Sequence, residues 1–327
     1  MSNKMRVSRR YFVVLLFVVL SVASVLLMGK VNINYNISDY LAEDTETKIS
    51  LNIIEEEFGM TGDIQVMVED VDAETAREIQ DIIKNIPNVL TVNFNENDEN
   101  YYKDNNALFA VIVDGDEYSD VANTVLDDIG EALDEEFTTN FGGSVVSKRN
   151  LRMAIQKEVI MILAIALALV VLLMLVTSSS WVEPFVLLLA SGVAVLLNMG
   201  TNLIFGEISY ITNAVSGILQ LALSIDYSIV LLHGYHAIRE TEKDSSKAMM
   251  AAIKSVFKPV SASALTTMTG LLALLFMTMK IGFDIGIVLL KGILLSAVVS
   301  LTFLPALLLM TQERQDYYCG VAAGSWM

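Results

Sequence analysis

Asp226 and Tyr227 stand together inside the apolar run Leu219–Leu232. Taking an ionised carboxylate into hydrocarbon costs at least about 2.5–3.5 kcal/mol. A carboxyl group in such a run therefore faces a bundle interior, pairs with a partner or carries protons. Its helix neighbours, Ala222, Leu223, Ile229 and Val230, are apolar, a setting in which a carboxyl group can bind and release a proton near neutral pH. Tyr227 can donate a hydrogen bond to a carboxylate on a facing helix, or accept one. The chemistry these two residues offer is proton relay, with Asp226 as carrier.

Other polar groups lie within reach. Asn213, Gly217, Gln220, Ser224, Tyr227, Leu231 and Gly234 recur every three or four residues, so they share a helix face expected to look into protein. Ser263, Thr266, Thr267 and Gly270 share a face of the following apolar span. Counted at 1.5 Å per residue, Asp226 is about 12 Å from Gly234 and Thr266 about 10 Å from Pro259, so carboxylate and hydroxyls are expected at similar depth. The hydroxyls either support the relay or bond back to their own helix. Lys291 is the other intramembrane charge. Counted from Asp284 it lies about 10 Å from the opposite surface, which favours snorkelling or packing over a coupling role. Neither a nucleophile–base pair nor a phosphate-binding loop is present, and metal-ligand spacing is lacking. We expect no enzyme, no catalytic residue, no cofactor and no metal site.

The elements that must position these groups follow from the apolar runs. Just over half of the 327 residues are hydrophobic, more than ordinary soluble domains carry. Lys4, Arg6, Arg9 and Arg10 precede the run Tyr11–Met28, which reads as a retained cytoplasm-anchored helix or as a signal peptide. Five further spans read as Ile155–Val176, Pro184–Ile204, Tyr210–Leu232, Val260–Met279 and Ile285–Met310. Between Gly234 and Lys258, five basic residues mark a cytoplasmic loop. That loop is either a tether or a short helix capped by Ser245 or Ser246. Trp181, Tyr210 and Tyr235 read as interface aromatics.

Residues 30–154 are rich in acid and read as an extracytoplasmic domain. Strand, helix, strand, strand, helix, strand are expected at Ile64–Val68, residues 72–85, Val89–Phe94, Leu108–Val113, Ser119–Glu136 and about Gly143–Val146. That is a ferredoxin-like order. The fold class is thus an α-helical membrane protein of six transmembrane helices with an α+β ferredoxin-like domain inserted between helices 1 and 2. Boundaries fall at 1–29 (first helix), 30–154 (inserted domain), 155–310 (five-helix domain) and 311–327 (tail). A net charge of −17 argues against a nucleic-acid partner. Cys319 is the only cysteine, so no disulfide forms within the chain.

This layout resembles one half of an RND-superfamily transporter, and within it the MMPL type. The segments that carry the resemblance are Ser38-Asp39-Tyr40-Leu41 and Phe58-Gly59, then Ser224-Ile225-Asp226-Tyr227-Ser228. Residues 259–267 and Leu304-Pro305-Ala306-Leu307-Leu308 complete it. The resemblance implies that Asp226 takes the proton and that Tyr227 hydrogen-bonds across a pseudo-two-fold to a second half-unit. It also implies that proton flux moves a membrane lipid or hydrophobic small molecule through the external domain of a plasma-membrane protein. The chain carries one half and its last residues resemble no continuation, so it is expected to be the N-terminal half of a longer protein or a half-transporter pairing with a copy. A SecD/SecF-like export accessory and a sterol-sensing-like membrane sensor are the alternatives.

Overall fold

The computed structural model describes residues 2–59, 61–133, 136–177 and 182–324, with the side chains of 2–9, 58, 173, 176–177 and 312–324 outside the description. Trp181 lies outside the described residues. In chain order, α1 (Ser2–Met28), β1 (Asn32–Asn34) and α2 (Glu46–Phe58) lead into β2 (Thr61–Val68), α3 (Ala73–Lys84) and β3 (Val89–Asn93). Next come β4 (Tyr102–Lys103), β5 (Asn106–Asp114), α4 (Asp120–Leu133), β6 (Thr139–Gly142) and α5 (Gly143–Thr177). The remainder is α6 (Glu183–Thr201), β7 (Glu207–Ser209), α7 (Tyr210–Arg239), α8 (Ser245–Leu272) and α9 (Lys280–Gly324). Six of the helices are long and apolar enough to cross a membrane: α1, α5, α6, α7, α8 and α9. The chain divides into two compact units, residues 42–161 and residues 1–41 with 162–327.

In residues 42–161 the antiparallel sheet runs β3-β5-β2-β6, with β4 folded back on β5. Alternation in β2 puts Ile64, Val66 and Val68 on one face, and β5 answers with Val111, Phe109 and Ala107 in register. The helices cover that face with Ala76, Ile79 and Ile83 from α3 and Val125, Ile129 and Leu133 from α4, each set at three- and four-residue spacing. Burying each of the larger side chains contributes about 1.5–3 kcal/mol. Asp72 caps α3, accepting from Thr75 N at 2.8 Å, and that bond holds its carboxyl below the usual carboxylate range.

The strand expected at Gly143–Val146 is instead β6, ending at Gly142. Gly143 adopts φ +91°, in the left-handed region glycine tolerates, and the chain turns there into α5. Val145 still enters the core, from a helix rather than a strand. Three elements were not expected at all: α2, the β4 hairpin, and the parallel pair of β1 and β7, with Asn32 opposite Glu207.

In the other unit α6, α7 and α9 pack together, joined by α1 and α8. Gly200 permits one close approach: a Cβ there would lie 2.5 Å from Ser24 Cα of α1. The segment read as a tether or short helix is part of α8, which runs unbroken through Pro259. Asp244, not Ser245 or Ser246, caps it, accepting from Ser246 N at 2.9 Å and Lys247 N at 3.2 Å. Ala248, Ala252, Val256, Val260 and Ala264 form one buried stripe along it. That stripe keeps its period across the proline, so packing outweighs the one backbone bond proline removes. α9 likewise runs past Met310.

Candidate functional site

The middle of α7 presents two faces of opposite character. Gly217, Gln220, Ser224, Tyr227 and Leu231 are buried, as their shared periodicity predicts, while Asn213 and Gly234 are half-buried. Asp226 projects from the other side, in an exposed stripe with Leu219, Ala222, Val230 and His233. Among the described residues it has neither a hydrogen bond nor an ion pair. The expectation that the polar seam looks inward therefore holds for Gln220, Ser224 and Tyr227, whereas the carboxyl looks out of its own bundle.

α8 lies alongside. Gly234 admits it closely, since a Cβ there would come within 2.6 Å of Val256 Cγ1. Farther along, the Tyr227 hydroxyl faces Thr267 without meeting hydrogen-bond geometry. One residue along each helix from that approach are Asp226 and Thr266. Ser263 and Thr266 are exposed as Asp226 is. The hydroxyls of Thr266 and Thr267 bond back to Ala262 O at 2.9 Å and Ser263 O at 3.0 Å. Asp226, Ser263 and Thr266 are thus polar groups exposed among mostly apolar neighbours on α7 and α8.

The interior between α6, α7 and α9 is polar in a different way. Gln220 Nε2 donates to Ala194 O at 3.0 Å, Gly292 O at 3.1 Å and Ser296 Oγ at 3.4 Å. Ser228 and Ser300 share a 3.1 Å hydrogen bond. Lys291 does not snorkel. Its Nζ donates to Asn202 Oδ1 at 2.6 Å and to Asn198 O at 3.0 Å, and sits 4.9 Å from the centroid of the Phe205 ring. Asn198 lies in the last turn of α6, so the ammonium caps a carbonyl end that attracts positive charge. Of the two readings, snorkelling or packing, the structure shows packing, with the stem turned to this cap.

Besides His236 Nε2, seven buried polar atoms in this unit have no hydrogen-bond partner among the described residues: Ser191 Oγ, Asn198 Nδ2 and Oδ1, Asn202 Nδ2, Gln220 Oε1, Ser224 Oγ and the Tyr227 hydroxyl. Each such atom left unsatisfied costs about 1–3 kcal/mol.

Where β1 and β7 meet the helices, Asp284 Oδ2 accepts from Ser209 N at 2.8 Å and from Thr212 Oγ1 at 2.5 Å. Asn34 Nδ2 bridges Asp39 at 3.0 Å and Glu207 at 2.8 Å. Burial, then the carboxylates of Asp284, Glu207 and Asp39, hold the Tyr40 hydroxyl above its ordinary pKa. At the opposite end His236 Nε2 lies 2.8 Å from Glu183 Oε1, short of hydrogen-bond geometry, an ion pair when the imidazole is protonated. Sequence reasoning passed over Asn198, Asn202, Thr212 and Asp284. The signal was there: two asparagines four residues apart at the end of an apolar span, and an acid seven residues before Lys291.

The sequence profile of the MMPL family matches residues 55–323. The chain belongs to the MMPL family. The match begins in α2 and continues past Met310, so most of the segment expected to resemble no continuation lies within it. A Streptomyces coelicolor protein whose name says only that it is a membrane protein is 29% identical over 214 residues, 63% of this MMPL chain and 30% of that protein. "Probable transport protein MmpL12" of Mycobacterium tuberculosis is 28% identical over 183 residues, 54% of this chain and 16% of its own length. The chain spans less than a third of either relative. The crystal structure of SecDF, a translocon-associated membrane protein from Thermus thermophilus, has the same fold. It superposes with a TM-score of 0.54 at 16% identity over 94% of this chain and 38% of that one.

Proposed function

We propose that this MMPL chain acts as a half-unit of a proton-motive-force-driven transporter that exports lipids or other hydrophobic compounds. Asp226 carries the proton at an interface with a second half-unit, and Tyr227 stands one residue round α7 from it, its hydroxyl buried within this bundle beside Thr267. One observation carries the reading. Among the described residues the Asp226 carboxyl has no hydrogen-bond or ion-pair partner, and it is exposed on an apolar helix beside α8, whose Ser263 and Thr266 are exposed too. Facing lipid, it would be expensive to ionise. A second half-unit laid over α7 and α8 would supply polar partners and enclose the acid, so that protonation governs how the halves pack.

The rest of the chain is consistent with this role. The order and pairing of β2, α3, β3, β5, α4 and β6 support reading residues 30–154 as a ferredoxin-like porter domain on the extracytoplasmic side. Arg239, Lys243, Lys247, Lys254 and Lys258 support a cytoplasmic N-terminus in the plasma membrane. Gln220 and Lys291 belong to the scaffold that holds α7 against α6 and α9, and Thr266 and Thr267 flank the relay. A second reading, a SecD/SecF-like accessory of protein export, draws support from the likeness to SecDF. At 16% identity that likeness speaks of fold, whereas the name of MmpL12 speaks of transport.

The test is transport of a fluorescent hydrophobic probe into proteoliposomes under an imposed pH gradient. Asp226→Asn is expected to reduce it to background with membrane insertion intact. Unchanged gradient-driven uptake in that variant would overturn the relay.

A further inference from the structure

Six of these seven unpartnered buried atoms, from five residues, can be placed in order along α6, its C-cap and α7. Asn202 and Asn198 close one end of α6 beside Lys291. Gln220 follows, over Gly292, where a Cβ would lie 2.8 Å from Asn198 Nδ2 and 3.2 Å from Gln220 Oε1. Ser224 is one turn farther along α7, and Tyr227 one more. Gln220 and Tyr227 are seven residues apart, so their directions around the helix differ by only about 20°. Beyond them the interior is apolar and tight: Leu231, Tyr235 and Phe303 are essentially without exposure.

We propose that the interior between α6, α7 and α9 holds a file of ordered waters. It reaches from the Lys291–Asn202 end to the depth of Tyr227 and is closed there by Leu231, Tyr235 and Phe303. The chemistry of the lining selects water over an ion. The unpartnered set contains two amide NH2 groups (Asn198, Asn202), two amide oxygens (Asn198, Gln220) and two hydroxyls (Ser224, Tyr227). A cation would leave the NH2 donors unsatisfied and would meet the Lys291 ammonium. An anion would leave the carbonyl acceptors unsatisfied. Water donates and accepts, and buried waters are held by two to four such groups. Lys291 itself has a third N–H beyond its two protein acceptors, so it anchors the first water.

The file opens toward one end of the bundle only. If Asp226 and Tyr227 relay protons as proposed above, it hydrates the Tyr227 hydroxyl from the β1–β7 end, on the side of α7 away from Asp226. The file itself does not rest on that reading, since its support is the buried lining rather than the carboxyl group.

The test is radiolytic hydroxyl labelling of the protein in phosphatidylcholine nanodiscs, read by mass spectrometry, because trapped water oxidises the side chains beside it. Segments 197–205 and 217–227 are expected to be labelled despite their burial, with the 186–190 segment of α6 (including the buried Leu187) as the unlabelled control. Asn198→Leu is expected to abolish that labelling and lower the melting temperature, because it leaves the bridging waters a partner short. Asn202→Ser is a second variant that keeps a polar group; it should fold and retain labelling at Gln220. Asp226→Asn should leave the labelling unchanged, so failure of the relay and failure of the file are separately visible. Wild-type labelling no higher than the control, or a melting temperature raised by Asn198→Leu, would overturn the proposal.

Discussion

The two sides of α7 treat polar groups in opposite ways. On the inner side Gln220 spends its amide NH2 on two carbonyls and a hydroxyl, and the nearby Lys291 is held by two oxygens and an aromatic ring. On the outer side Asp226 makes no hydrogen bond or ion pair among the described residues, and the neighbouring threonines are occupied with their own helix. Polar atoms inside the bundle therefore fix which helices meet and in what register. The polar groups outside make no hydrogen bond between helices among the described residues, and the proposed second half-unit would cover them. Structure-building polarity and the exposed carboxyl proposed to carry the proton are thus separated by roughly a third of a helical turn.

Substitutions on each side should break that contrast in different measurements. The largest effect belongs to Asp226→Asn, which should abolish gradient-driven uptake in proteoliposomes while leaving the melting temperature in detergent close to wild type. Next is Gly292→Ala on the inner side. The added methyl presses on Asn198 and Gln220 at 2.8–3.2 Å and should cost about 1–3 kcal/mol of stability, visible as an earlier thermal transition. Tyr227→Phe should slow uptake partially and shift its pH dependence. Since the hydroxyl has no hydrogen-bond partner among the described residues, its removal should change stability by no more than about 1 kcal/mol. Thr266→Val should do least, within about 0.5 kcal/mol in stability and near wild-type uptake, because its hydroxyl already serves Ala262 O. A large loss of stability in Asp226→Asn, or none in Gly292→Ala, would erase the distinction between the two faces.

The buried seam was legible because lipid-facing positions must be apolar, so a polar residue every third or fourth position marks an inward face; Gln220, Ser224 and Tyr227 obey it. Asp226 was legible as a residue, though not as one that looks outward, because a single helix's periodicity shows which residues share a face and not which neighbour covers it. For Lys291 snorkelling and packing were both left open, and the structure packs it; its depth could be counted, its partners could not. A lysine stem can span the distance to the end of α6, and the cap at Asn198 and Asn202 is a tertiary contact between segments about 90 residues apart. In the inserted domain the alternation of β2 and β5 could be read directly. Val145, however, reads as strand by propensity and enters the core from a helix, since one glycine at positive φ decides where β6 ends.

The outer face is tested most directly by infrared difference spectroscopy of the reconstituted protein, titrated through its working pH range and compared with Asp226→Asn. The account predicts a protonated-carboxyl band that disappears reversibly near neutral pH in the wild type and is missing from the variant. A carboxyl group at Asp226 that stays charged, or stays protonated, across that whole range would contradict it.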